Sequence, residues 1–204
     1  VFRYPQTMVG IMRFLVRLSN RRKYAPSDRK QLSTLAYAAV RALGADVGNL
    51  RVSSVAVELD LLLNSQTDVD KAVRALEEQI GPKLTIRQLD VQNVPMESAE
   101  AIKLGFALFN EERYWESHEA LEEAWRRSTG TEKEILQGII LLAAALVHLQ
   151  KSEHDVALSV MKRGYEKLTG HSGEHFRVDI SALKETVGRM LTGSPDFFKI
   201  TTTS

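Results

Sequence analysis

The chain has 204 residues, 44% of them hydrophobic and 26% charged, with a net charge of +1. That length allows one large domain or two small ones, and the composition excludes disorder and collagen-like structure. The absence of cysteine excludes a disulfide scaffold, a thiolate metal or iron–sulfur site and a cysteine nucleophile, and it fits a reducing compartment.

Residues Val1 to Gly10 lack the apolar core of a signal peptide. The longest uncharged run, Ile135 to Gln150, contains Gln137 and His148 and falls short of the ~20 apolar residues of a membrane span. A cytoplasmic, soluble protein is expected. Charge divides the chain near residue 92: residues 1–91 carry 14 Lys+Arg and 9 Asp+Glu, residues 92–204 carry 13 and 17. The hydrophobic period changes at the same place. The expected organisation is therefore an α/β domain over 1–91, a linker over 92–96 around Pro95, and a helical domain over 97–204.

In the first half, Phe14, Val16 and Leu18 alternate with Arg13, Leu15 and Arg17, the pattern of a strand. Pro26-Ser27-Asp28 opens a helix whose apolar stripe is Leu32, Leu35, Ala36, Ala39, Val40 and Leu43, ended by Gly44. A short strand is expected at Leu50 to Val52. Val55, Val57, Leu59, Leu61 and Leu63 alternate with Ala56, Glu58, Asp60 and Leu62, the strongest strand signal in the chain. Thr67 with Asp70 predicts a capping box for a helix with Val69, Ala72, Val73, Leu76 and Ile80 on its stripe, and Leu84 to Val91 is a last strand. The order βαββαβ is that of a ferredoxin-like domain. Arg17, Arg21, Arg22, Lys23, Arg29 and Lys30 form a basic cluster, read here as a solvated loop and helix start. An RNA-binding sheet stacks bases on aromatic side chains, and the two best strands supply only Phe14, so nucleic acid is not expected as a partner. Such a domain commonly serves dimerisation or docking, so a homodimer or a protein partner is the expected association, with no membrane partner.

The second half reads as about five helices: Glu97–Glu111 with a stripe of Ala101, Leu104, Ala107 and Leu108, then Arg113–Ser128, Thr131–Lys151 with a capping box from Thr131 to Glu134, Glu153–Leu168, and Ile180–Leu191. The first four form two αα-hairpins that repeat at 40 residues: Gly130 and Gly170, Trp125 and Tyr165, Leu121 and Met161 correspond. The fold class is thus α+β, a ferredoxin-like domain followed by an all-α bundle of two hairpins and a C-terminal helix.

The second of these helices carries the chemistry. Tyr114, His118, Leu121 and Trp125 share one arc, Glu122 lies on its flank and Glu119 further round, while Glu116 and Glu123 point away as solvated carboxylates. The following helix is apolar on nearly every side, and Gln137 and His148 share a face with Leu141 and Ala144. A buried amide or imidazole without a partner costs about 1–3 kcal/mol, so His118, Glu119 and Glu122 are the expected partners. Phe109-Asn110, Tyr114-Trp115-Glu116-Ser117-His118-Glu119-Ala120-Leu121-Glu122, Trp125, Leu136-Gln137-Gly138 and His148 together resemble the helical domain of the family known as domain of unknown function 309, over residues about 99–192. The resemblance implies an all-α bundle and no established activity. It implies that His118, Glu119, Glu122, Trp125, Gln137 and His148 are motif residues.

Two functions remain open from the sequence. One is non-enzymatic binding or scaffolding through a polar and aromatic groove lined by Tyr114, Trp115, His118, Glu119, Glu122, Trp125, Gln137 and His148. The other is a metal-dependent hydrolase or oxidoreductase with Zn, Fe or Mn on His118, Glu122 and His148, a nitrogen–oxygen ligand set found in metal-binding bundles. No glycine-rich phosphate loop and no Gly-x-Ser-x-Gly elbow occurs. His154, His171 and His175 are read as solvated, and Phe197 and Phe198 either tuck onto the bundle or mark an exposed contact.

Overall fold

The computed structural model describes residues 11–64, 66–90 and 96–202. The expected linker at Gln92–Pro95, the end of the last strand at Val91 and the N-terminal segment Val1–Gly10 lie outside them. The chain divides into two compact units, Val1–Asn93 and Val94–Ser204.

The first unit runs β1 (Ile11–Ser19), a 3-10 turn at Pro26–Asp28, α1 (Arg29–Arg41), β2 (Ala45–Val52), β3 (Ala56–Asn64), α2 (Val69–Gln79) and β4 (Lys83–Gln88). Its sheet is antiparallel throughout, in the order β2-β3-β1-β4. β2 is longer than the three residues expected: Asn49, at φ 48, and Leu50 bulge out of the ladder, and pairing continues at Gly48 on one side and Arg51 on the other. The helix after β3 is capped by Asp68, which accepts from Asp70 N–H and Lys71 N–H, rather than by Thr67. Thr67 instead donates its hydroxyl to Asn64 in the preceding turn.

One sheet face follows the apolar alternation. Val16, Leu18, Val57, Leu59, Leu61 and Leu63 pack with Leu32, Ala36 and Val40 of α1 and Ala72, Val73 and Leu76 of α2. The residues between them are buried as well. Arg17, Arg51, Glu58 and Asp60 are 7%, 2%, 1% and 0% exposed, and they form an ionic cluster on the other face. Arg17 Nε donates to Glu58 at 2.8 Å, Arg13 Nη2 to Asp60 at 2.7 Å and Asn49 Nδ2 to Asp60 at 2.7 Å; Arg51 lies 3.4 Å from Glu58 and 3.5 Å from Asp60. Arg17 is therefore corrected from a solvated loop cation to a buried partner of Glu58. Alternation along a strand shows which residues share a face, and Arg17 and Glu58 meet because they are directly opposite in the β1–β3 register.

The second unit is built of α3 (Ser98–Asn110), α4 (Tyr114–Arg127), α5 (Gly130–Gln150), α6 (His154–Leu168) and α7 (Ile180–Thr192), with a two-residue hairpin, β5 (Glu174–His175) and β6 (Val178–Asp179), before α7. Consecutive helices pack on one another around a core that includes Phe106, Phe109, Tyr114, Leu121, Leu136, Ile139, Leu142, Ala143, Leu146, Met161 and Leu168. The 40-residue repeat is present in the backbone. Glu112 and Ser152 both take φ 59, and the amides of Arg113 and Glu153 donate to Leu108 and His148, each at 2.9 Å. The stripe of α3 differs from expectation: Ala101, Gly105, Phe106, Leu108 and Phe109 are buried, while Leu104 is exposed. Gly105 draws the stripe toward itself, because its missing side chain makes the room that Leu121 occupies, and Ser117 Oγ donates to Gly105 O at 2.8 Å. α5 begins one residue earlier than expected, with Thr129 as N-cap and no side-chain cap bond. Glu134 is not a capping-box residue; it reaches His171 Nε2 at 3.0 Å, so His171 is a paired and largely buried imidazole rather than a solvated one. Among the described residues no helix is long and apolar enough to cross a membrane.

Candidate functional site

α4 begins where the left-handed Glu112 turns the chain back on α3. Tyr114, the first helical residue, is fully buried and packs edge-on against Phe109 at 5.0 Å. Burial, with Glu112 and Asp196 nearby, pushes its phenol far above the usual tyrosine range. Its hydroxyl has no hydrogen-bond partner among the described residues.

Glu116 departs most from expectation. It is buried, not solvated, and it accepts from Arg113 Nε at 2.8 Å and Nη2 at 3.0 Å. This bidentate pair raises the guanidinium pKa, chiefly through the hydrogen bonds to Glu116, and it locks the first turn of α4. The i,i+3 spacing of Arg113 and Glu116 was the signal in the sequence, since residues three apart share a helix face. Glu123, by contrast, is half-exposed and pairs with Arg127 at 2.6 Å, and Glu119 is exposed.

His118, Glu122 and Trp125 lie half-buried along one side of α4, as does Trp115. His118 Nε2 is 4.0 Å from Glu122 Oε1, so Glu122 is the carboxylate beside this imidazole. Burial pushes the His118 pKa down and Glu122 offsets part of that effect. Glu122 also accepts from Arg126 at 3.2 Å. Lys133 at the start of α5 stands 4.6 Å from the Trp125 ring centroid, a cation–π contact. The indole Nε1 of Trp125 is buried without a partner among the described residues.

On α5, Gln137, Leu141, Ala144 and His148 form the half-buried stripe of an otherwise buried helix. This is the shared face expected from their spacing. His148 does not join His118. Its Nδ1 lies 2.6 Å from Glu153, just beyond the end of the same helix. The hairpin register explains the separation. Counted from the α4–α5 turn, His118 lies nine residues back from the end of α4 and His148 eighteen residues forward from the start of α5, so His148 sits about 13 Å further along the axis. The ligand set His118, Glu122 and His148 therefore does not converge, and no three His, Asp or Glu side chains group as a metal-ligand set among the described residues. Glu153 was missed because it follows the helix end, where periodicity gives no signal; the left-handed Ser152 turns it back onto His148.

Residues 102–160 match the family model described as Domain of unknown function (DUF309). The helical region belongs to that family. A conserved hypothetical protein from Thermus thermophilus, known from a crystal structure, is similar to this chain, with 32% identity, covering 45% of this chain and 95% of that one, at a TM-score of 0.40. No curated protein matches the chain. The DUF309 match contains Arg113, Glu116, His118, Glu122, Trp125, Gln137, His148 and Glu153, so both histidines and both of their carboxylate partners fall within it.

Proposed function

We propose that the DUF309 region of this protein is a non-enzymatic binding module whose contact surface is the groove between α4 and α5. One observation carries this reading. After its first turn α5 is buried on nearly all sides, yet one stripe along it, Gln137, Leu141, Ala144 and His148, stays half-exposed, and His118, Glu122 and Trp125 of the preceding helix α4 are half-exposed as well. A core would bury these residues and an ordinary surface would be more polar. Aromatic and aliphatic groups with polar groups at their edges are the composition of a recognition surface. The cysteine-free chain suits a cytoplasmic module.

The experiment places a photo-crosslinking residue at Ala144 in the full chain and, as a control, at the exposed Glu185 on α7. The binding reading expects a discrete adduct from position 144 that Leu141→Glu removes while the circular dichroism spectrum is unchanged. The same adducts from both positions, or none from position 144, overturn it. Elemental analysis of untagged protein tests the rival reading, since stoichiometric Zn, Fe or Mn favours a metal-dependent enzyme.

A further inference from the structure

The C-terminal tail lies on the helical unit in the manner of a bound peptide. After α7 ends at Thr192, residues 194–201 form no regular secondary structure, and the backbone joins a ladder only at Thr202, opposite Val178. Two side chains reach inward together. Phe198 meets Phe109 edge-on at 5.2 Å and Phe197 meets Tyr114 at 5.8 Å. Lys199 then points out and Ile200 points in, 2% exposed. At Ile200 the last residue of α3 takes hold of the backbone. Asn110 Nδ2 donates to Ile200 O at 2.9 Å, and Ile200 N–H donates to Asn110 Oδ1 at 2.8 Å. The carboxamide thus satisfies both backbone groups of one residue, as a neighbouring strand would, and this recognition reads an extended backbone without regard to its side chain. The aromatic and aliphatic sockets supply the selectivity.

We propose that this end of α3 and α4 is a receptor for an extended peptide of the pattern aromatic-aromatic-x-aliphatic, filled by the chain's own tail and equally open to the same segment of a second copy. The tail of a second copy has the same sequence, so it presents the same Phe197, Phe198 and Ile200 to the same sockets. The exposed Gly193 and Ser194, followed by Pro195, make a short connection by which the tail can leave one body and enter another. The proposal stands apart from the α4–α5 groove, since neither Asn110 nor the tail lines that stripe.

The probe is a fluorescent peptide of the sequence Ser194–Thr202. The receptor is the full chain carrying F197A and F198A, which removes the two aromatic anchors of its own tail. We expect saturable binding, at least tenfold weaker binding to the unaltered chain, whose site is filled in cis, and about a tenfold loss when N110A is added to the variant. The unaltered chain should also show a dimer fraction that rises with concentration in sedimentation and that excess peptide dissolves. Equal binding to variant and unaltered chain, or no binding to a variant of unchanged helicity, overturns the receptor. Peptide binding without a peptide-sensitive dimer overturns the second copy as its occupant. If the double variant loses helicity, F197A alone serves as the receptor, with the same outcomes.

Discussion

Arg113 and Glu116 close the first turn of α4 with two hydrogen bonds between one guanidinium and one carboxylate, at 2.8 and 3.0 Å. The carboxylate is buried and the guanidinium is partly exposed; removing Glu116 leaves Arg113 with only the weaker, exposed contact to Glu111 at 3.1 Å. Hydrogen bonds to charged groups contribute about 1.5–3 kcal/mol. Glu116→Ala should therefore lower the unfolding free energy by about that amount in urea denaturation. Glu123→Ala, which breaks solvent-screened pairs with Arg126 and Arg127, should change it by less than ~0.5 kcal/mol. Equal effects of the two changes would refute the distinction.

The buried cluster of the first unit makes a stronger demand. Asp60 is fully buried against Arg13, Asn49 and Arg51. Deleting it strands arginine charge in a low-dielectric site, and such losses cost about 3–5 kcal/mol. Asp60→Ala should unfold the first unit at markedly lower urea concentration. Because a buried ion pair carries its own desolvation cost, replacing Arg17, Glu58 and Arg51 together by apolar residues of similar volume should cost less than Glu58→Ala alone. A triple variant less stable than that single one would contradict this.

The fold was legible wherever burial followed period. Leu59, Leu61 and Leu63 on a strand, or Leu142, Leu146 and Leu149 on a helix, mark a face by spacing alone, and the βαββαβ order and the five helices followed from such runs. The site was legible in part. Glu122 was found beside His118 because both lie on one helix, four residues apart. Relations between elements were not legible. Spacing within β1 and β3 cannot say that Arg17 meets Glu58, because their register is set by pairing across the sheet. Nor can it place His148 relative to His118, which depends on how the α4–α5 hairpin is aligned. The tail was undecided for the same reason: Phe197 and Phe198 find Tyr114 and Phe109 across more than 80 residues of chain.

The approach of α3 to α4 rests on Gly105. A Cβ built there would lie 2.6 Å from Cγ and Cδ2 of Leu121, which is itself fully buried. Overpacking of this kind costs about 1–3 kcal/mol, since Leu121 has little room to move. Gly105→Ala should lower the melting temperature even though alanine favours the helix. Gly170, with nothing within 4 Å of its would-be Cβ and no positive φ, is the control. Gly170→Ala should leave the melting temperature unchanged or raise it. A fall for both would show that glycine itself, rather than the contact with Leu121, matters.

The half-buried His118 gives the protein a defined acid sensitivity. Burial lowers its pKa below the ordinary value of 6.5, and Glu122 at 4.0 Å restores part of the difference. The folded chain therefore binds the His118 proton less readily than the unfolded chain does. Stability from this residue is fully present above about pH 6.5 and declines as pH falls below it, until the folded state is protonated too. Glu122→Gln removes the compensating charge, so the folded pKa should fall further and the loss on acidification should grow. His118→Gln should remove this component altogether, making its melting temperature less sensitive than the unaltered chain's between pH 7.5 and pH 5. An NMR titration of the His118 ring protons reads the pKa directly. A midpoint at or above 6.5 in the unaltered chain, or one that rises in Glu122→Gln, would show that burial does not govern this imidazole.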